Sequence, residues 1–268
     1  MSDAGALSAA PQTQAVVLQG RDLRVQANAP ELNIDLARGE IVGIAGLDGH
    51  GQEEFLEILC GLRKPVTGEV RVHTGRGAER ISSFHRAARA GVAYLPRDRK
   101  SEGILPSLSV LDNFSMVILR KAARAGFLRQ RYLRNRYSTF RQRLAIIAPK
   151  PSTPITSLSG GNQQKVLLAR WMASEPRVMV LNDPTRGVDL ATRLSIQATL
   201  RQVAAEGTAI VLLSTEIEEL LQLCGRILVF REGHVFTEIT PPDMTMSAVV
   251  AAMFGRSPKP SAGSPDEH

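Results

Sequence analysis

Five short apolar runs punctuate the chain, at residues 41–45, 92–95, 178–181, 209–213 and 227–230. Each is four or five residues long, draws on Val, Ile and Leu, and lacks the alternation of a half-wetted strand, so the pattern predicts strands buried on both faces. Between them, over 53–62 and 191–206, apolar residues recur at three- and four-residue spacing, which predicts amphipathic helices. Buried strands alternating with helices are the pattern of an α/β fold whose parallel sheet is covered on both faces. One stretch breaks the alternation. Residues 110–148 read as mostly helical, interrupted near Gly126 and closed by Pro149, Pro151 and Pro154, which predicts a helical subdomain, about 109–172, inserted into the α/β core.

Both ends differ from this body. Residues 1–14 are small and polar and 256–268 are rich in Pro, Ser and Gly, so disordered tails are expected around a folded unit of 15–255. With 268 residues, 43% hydrophobic and 22% charged, the chain has enough apolar material for a core, which excludes wholesale disorder. Cys60 and Cys224 stand 164 positions apart without CxxC or His companions, which argues against a disulfide framework or a structural zinc site. The start lacks the basic and apolar regions of a secretory signal, and no apolar run approaches the ~18 residues of a membrane helix. A cytosolic protein is expected, with any membrane role resting on a partner.

Charge changes the picture in one place. Residues 113–174 hold twelve Lys or Arg and no Asp or Glu, so against a net charge of +7 the rest of the chain carries about −5. Arg129, Arg131, Arg134, Arg136, Arg141 and Arg143 interleave there with Tyr132 and Tyr137, a composition that suits phosphate contacts and base stacking on nucleic acid, an anionic membrane face, or a solvated helix surface.

The run from Ile41 through Gly46, Gly49 and Gly51 to Gln52 and Glu53 is a strand, a glycine-rich turn and a helix start, the geometry of a phosphate-cradling loop. Glycines let successive backbone N–H groups converge on phosphate oxygens, while a Lys neutralises the β/γ charge and a hydroxyl ligates Mg²⁺. Here Gln52 and Glu53 stand in those two places, and a carboxylate at the helix start competes with a polyphosphate for the same positive end. The loop alone is equally compatible with a plain turn between strand and helix.

Further along, Leu158-Ser159-Gly160-Gly161-Asn162-Gln163-Gln164-Lys165 precedes an amphipathic helix and a strand ending Asn182-Asp183-Pro184-Thr185. A Ser and two glycines at a helix start offer a hydroxyl, two amides and the helix dipole to a phosphate. LSGGNQQK resembles the signature motif of ATP-binding cassette (ABC) proteins, and its NQQK ending resembles the second cassette of ribose- and galactose-type sugar importers. The resemblance covers about 15–255 and implies a P-loop NTPase core of ABC type, with ATP and Mg²⁺ as ligands. It also implies that the signature of one cassette closes over the nucleotide held by the loop of another, so Ser159, Gly160, Gly161 and Gln163 are expected to act in trans.

Carried over position by position, the nucleotide site of this chain departs from the family at five places. The loop has Gln52 and Glu53. The strand end has Asn182 and Asp183 in place of Asp and Glu, leaving Asp183 as a weak catalytic candidate. Arg97 stands where a Gln or Glu contacts Mg²⁺, Thr215 falls at the switch histidine, and no aromatic residue precedes Phe55 to stack on adenine. Arg186-Gly187-Val188-Asp189 resembles the D-loop, with Asp189 facing the partner or simply capping the next helix. The implied function is a degenerate ATP-binding subunit of a sugar importer, inactive alone, holding no metal in cis. Its expected partners are an intact second cassette, transmembrane permease subunits and, indirectly, an extracytoplasmic solute-binding protein, which places it on the inner face of the membrane. The other open reading is an ABC-type pseudo-ATPase acting on nucleic acid through its arginine-rich helices.

Overall fold

A computed structural model describes residues 15–75, 77–124 and 126–256; both expected tails lie outside the described residues apart from Arg256. The chain runs β1 (Val16–Arg24), β2 (Leu32–Ala37), β3 (Ile41–Gly46), α1 (Gln52–Leu59), β4 (Thr67–Thr74), β5 (Gly77–Ile81), α2 (Phe84–Ala90) and β6 (Val92–Leu95). It continues through α3 (Val110–Ser115), α4 (Leu119–Ala122), β7 (Ala123–Arg124), β8 (Phe127–Leu128), α5 (Gln130–Arg143) and α6 (Gly160–Met172). The last third is β9 (Val178–Asn182), α7 (Leu190–Ala205), β10 (Ala209–Leu213), α8 (Ile217–Leu223), β11 (Arg226–Arg231), β12 (His234–Ile239) and α9 (Met246–Met253).

All five apolar runs join one six-stranded sheet in the order β12-β11-β3-β10-β9-β6, parallel except for β12. Its inner strands are buried at every or nearly every position, which is why they read as unbroken apolar runs. A second sheet, β2-β1-β4-β5, is antiparallel and closes over α1, where Leu18, Ile34, Leu36, Val70 and Val72 pack with Phe55, Leu56 and Leu59. Because the C-terminal ends of parallel strands point the same way, Gly46, Asn182 and Leu213 reach one edge of the larger sheet, and the loops after them can share a site.

The interruption between β6 and β9 is helical, with one correction. The break at Gly126 is a short hairpin, β7 paired with β8, whose turn uses the left-handed backbone (φ 83°) that glycine adopts without strain. Apolar packing is continuous across this region: Phe114, Tyr137 and Phe140 join Leu167, Leu95 and Met179 in one cluster through α6. Arg170 on α6 is buried within it without a carboxylate, donating to Asn113 O (2.6 Å), Gly103 O (2.7 Å) and Asn113 Oδ1 (3.0 Å). Burial pushes its guanidinium down to about 10.

Candidate functional site

The glycine loop after β3 is formed, and it is filled from within. Gly49 and Gly51 take left-handed backbone (φ 82° and 96°), and Gly51 packs so closely that a Cβ there would lie 2.8 Å from Gly233 Cα. Gln52, 3% exposed, turns back and donates from Nε2 to Leu47 O at 2.8 Å. Its Oε1 is buried without a partner, and a Cβ on Gly46 would lie 3.3 Å from it. Where a Lys would extend toward phosphate, a neutral amide binds the carbonyl of its own loop.

Arg97, from the turn after β6, closes the other side. Its NH1 lies 2.8 Å from Glu53 Oε1 and 3.7 Å from Asp48 Oδ1, and its Nε lies 3.6 Å from Asp183 Oδ2. Asp183 is 3% exposed and takes the αL conformation (φ 52°) that Asp tolerates better than most residues. Thr215 donates to it twice, from N (3.2 Å to Oδ1) and from Oγ1 (3.1 Å to Oδ2). Beside it Asn182 is buried with Oδ1 unpaired. Asp48, Glu53 and Asp183 already face the Arg97 guanidinium and Asn182 supplies an oxygen without charge, so these side chains do not fit a divalent ion. Among the described residues no group of three His, Cys, Asp or Glu could hold a metal.

The signature lies at the start of α6. Ser159 is exposed and caps the helix, its Oγ accepting from Asn162 N (3.4 Å) and Asn162 Nδ2 (3.0 Å). The N–H groups of Gly160 and Gly161 are first-turn donors with no partner among the described residues. Gln163, expected to act in trans with the signature, is turned inward here: its Nε2 donates to Leu158 O (3.1 Å) and Ile155 O (3.3 Å), which braces the motif from behind. Gln164 does the same toward Pro184 O at 2.7 Å, tying the signature helix to the turn after β9. Asp189 caps α7, accepting from Thr192 N (2.9 Å) and Thr192 Oγ1 (2.8 Å), and these hydrogen bonds hold its carboxyl below the usual range.

Sequence reasoning passed over Glu219. It is 2% exposed, faces no cation within 4 Å, and gathers Ser214 Oγ (2.7 Å), Thr185 Oγ1 (3.0 Å) and Gln197 Nε2 (3.5 Å). It thereby joins the segment after β9 to the segment after β10. The available signal was its place at the third position of α8, on the side shared with Leu220 and Leu223.

The arginine-rich helix α5 departs from a nucleic-acid surface. Tyr137 is 1% exposed against Phe114 and offers no ring face, and partly buried Tyr132 has the Arg129 guanidinium over one face at 5.0 Å. Arg136 pairs with Glu175 (2.9 Å) and Arg143 with Glu206 (2.7 Å). Nearby, Leu62, Phe84, Tyr94, Leu167 and Trp171 line a groove of about 240 Å³, with Phe84 edge-on to Trp171. No helix among the described residues is long and apolar enough to cross a membrane. Cys60 and Cys224 are free and buried, and burial pushes the Cys60 thiol up to about 12.

Comparison with known proteins bears on all of this. The family model described as ABC transporter matches residues 30–186. An arabinose import ATP-binding protein of Chromohalobacter salexigens is 40% identical over 233 residues, 86% of this chain and 45% of that protein. A ribose import ATP-binding protein of Rhizobium etli is 36% identical over 250 residues, 93% of this chain and 49% of that protein. The chain thus spans about half the length of the curated relatives it matches. In structure it resembles a dimeric ATP-binding cassette bound to ADP and phosphate, with a TM-score of 0.71 at 21% identity, covering 83% of this chain and 98% of the other. With the sheet order, the glycine loop and LSGG in place and a family model spanning more than half of its length, the chain belongs to the ABC transporter family, as an ATP-binding domain of the kind found in sugar import proteins.

Proposed function

We propose that this cassette is the degenerate half of a composite ATPase driving import of a sugar or similar solute. It presents Ser159, Gly160 and Gly161 to ATP and Mg²⁺ held mainly by the loop of a catalytically intact partner cassette. The observation that carries the reading is the contrast between two sites in one chain. The loop at Gly46 to Glu53 is plugged by Gln52 and bridged to Asp183 by Arg97, whereas the signature keeps an exposed Ser159 and first-turn N–H groups without a partner among the described residues. Two copies of this chain would bring two signatures and no loop able to hold Mg-nucleotide, so the working pair is a heterodimer or a fusion of two cassettes. The names of the arabinose and ribose relatives support a sugar as cargo, and permease subunits at the inner membrane face follow from that role.

Within the pair, the signature supplies hydrogen-bond donors and a helix dipole where charge builds up on the transferred phosphate. Asp189, at the start of α7, faces the same junction. The permease meets the groove at Phe84 and Trp171 and the exposed Arg131 and Arg134, which pair with no carboxylate among the described residues. The test is ATP turnover of the reconstituted pair. Ser159→Arg, which sets bulk and charge against the phosphate, lowers turnover by at least ~100-fold, the scale of losing an oxyanion donor. Gly49→Asp in this chain's own loop, where nothing lies within 4 Å of a Cβ, leaves turnover within about twofold. Equal damage from both substitutions refutes the division of labour.

A further inference from the structure

Beside the signature lies a pocket of about 240 Å³ lined by Arg97, Asp98, Arg99, Lys100, Arg186 and Gly187. Its charge balance is one-sided. The Asp98 carboxylate is taken up by its own turn, accepting from Lys100 N (2.8 Å) and Ser101 N (3.4 Å). Arg97 is spent on Glu53 and Asp183. Among the described residues no carboxylate comes within 4 Å of the head groups of Arg99, Lys100 or Arg186. Arg99 donates from NH1 to Arg186 O (3.1 Å), while its Nε is buried with no partner. The guanidinium is also held against the positive end of α6: a Cβ on Gly160 would lie 2.4 Å from Arg99 NH2. A cation aimed at a helix start, with two more cations beside it and the exposed Asp98, which also feels Arg186, as the one acid lining the pocket, is electrostatically unfavourable until an anion enters.

We infer that the Arg99–Lys100–Arg186 pocket is a binding site for a polyphosphate chain, a second set of phosphate contacts alongside the signature. This rests on the reading of the signature as a phosphate-facing element. The volume decides which part of a ligand it takes. Pockets for whole small molecules run from about 300 to 1,000 Å³, so this one suits phosphate groups without a nucleoside. No aromatic side chain lines it to stack on a base. Guanidinium forks match phosphate oxygens in pairs, which sets Arg99 and Arg186 apart from a general basic surface. The phosphates come either from the nucleotide on the partner cassette or from a free polyphosphate.

Calorimetric titration of the full chain with inorganic tripolyphosphate, without magnesium, tests the site. The wild type binds tripolyphosphate more tightly than orthophosphate. Arg99→Gln and Arg186→Gln each weaken binding about tenfold or more, the loss of one charge-assisted contact. Arg99→Lys, which keeps the charge but not the fork, falls between, and Arg120→Gln, an exposed arginine on α4, changes nothing. Absence of binding by the wild type, or equal affinity in Arg99→Gln and Arg120→Gln, overturns the assignment. In the reconstituted pair, a raised KM for ATP in Arg99→Gln assigns the phosphates to the partner's nucleotide, and an unchanged KM assigns them to a free polyphosphate. If Ser159→Arg leaves the pair active while the single chain still binds tripolyphosphate through Arg99, the signature reading fails and the pocket stands.

Discussion

Replacing Arg97 with Gln isolates the bridge across the chain's own loop. The contact with Glu53 is between groups 28% and 44% exposed, so it contributes about 0 to 1 kcal/mol. The contact with Asp183 is different, because that carboxylate is 3% exposed and a buried charge stripped of its partner costs about 3 to 5 kcal/mol. Two features reduce that figure: the separation of 3.6 Å is beyond hydrogen-bond range, and Thr215 continues to donate to Asp183 from both N and Oγ1. The net expectation is about 2 kcal/mol, which for a domain of this size lowers Tm by about 4 to 8 °C. Thermal unfolding followed by circular dichroism measures it. A double-mutant cycle with Asp183→Asn and with Glu53→Gln apportions it, since each amide keeps the shape and removes the charge. Asp183→Asn is expected to recover most of the loss on the Arg97→Gln background, and Glu53→Gln little. A Tm equal to or above that of the wild type in Arg97→Gln, or no coupling to Asp183, refutes the view that Arg97 neutralises this site.

The isolated chain is expected to turn over ATP at background rate. Gln52→Lys does not rescue it, because Arg97 and Asn182 still occupy the metal side; a colorimetric phosphate assay checks both. Arg170→Met leaves Gly103 O and Asn113 O buried without donors and is expected to destabilise the fold by about 2 to 5 kcal/mol in urea denaturation. Asp189→Ala lowers Tm at neutral pH. Because hydrogen bonds from Thr192 hold the folded-state pKa below the unfolded one, the capping contribution is present at neutral pH and lost as pH falls through the carboxylate range, so the two melting curves converge in acid. Cys60 and Cys224 are expected to resist a thiol reagent at pH 8 in the native chain and to react on unfolding.

The parallel sheet was legible because its strands carry no polar face to confuse the reading: Val178 to Leu181 and Ile210 to Leu212 are fully buried. The antiparallel sheet was passed over for the opposite reason. In β5 four of five residues are exposed and nothing marks the strand locally, since its pairing with β4 is what makes it one. The signal in β2 was present, with Leu32, Ile34 and Leu36 alternating with Asn33 and Asp35, but one six-residue alternation weighs little beside five apolar runs. At the site, residue types could be read from their positions in the motifs. The partnerships could not: Arg97 lies 44 positions from Glu53 and 86 from Asp183, and only the sheet order brings the three together. The same limit hid the inward turn of Gln163, which the motif resemblance groups with the trans-acting residues and tertiary packing directs to two carbonyls.

Among the described residues no cation lies within 4 Å of Glu219, and the groups that meet its oxygens are hydroxyl and amide donors. The hydroxyls of Ser214 and Thr185 and the amide of Gln197 all donate toward its two oxygens, so their hydrogens point inward. With its one hydrogen committed, Ser214 Oγ is left to accept, and it does so from Glu216 N at 3.1 Å. The chain from the Glu216 amide through the Ser214 hydroxyl to Glu219 therefore has a single polarity that cannot be reversed without an uncompensated lone pair in the interior. Glutamine, though matched in size, would place its NH2 either against Gln197, donor to donor, or against Ser214 and Thr185, whose hydroxyls would then have to turn around. The site is thus intolerant of a change in proton direction even where it would tolerate the change in shape.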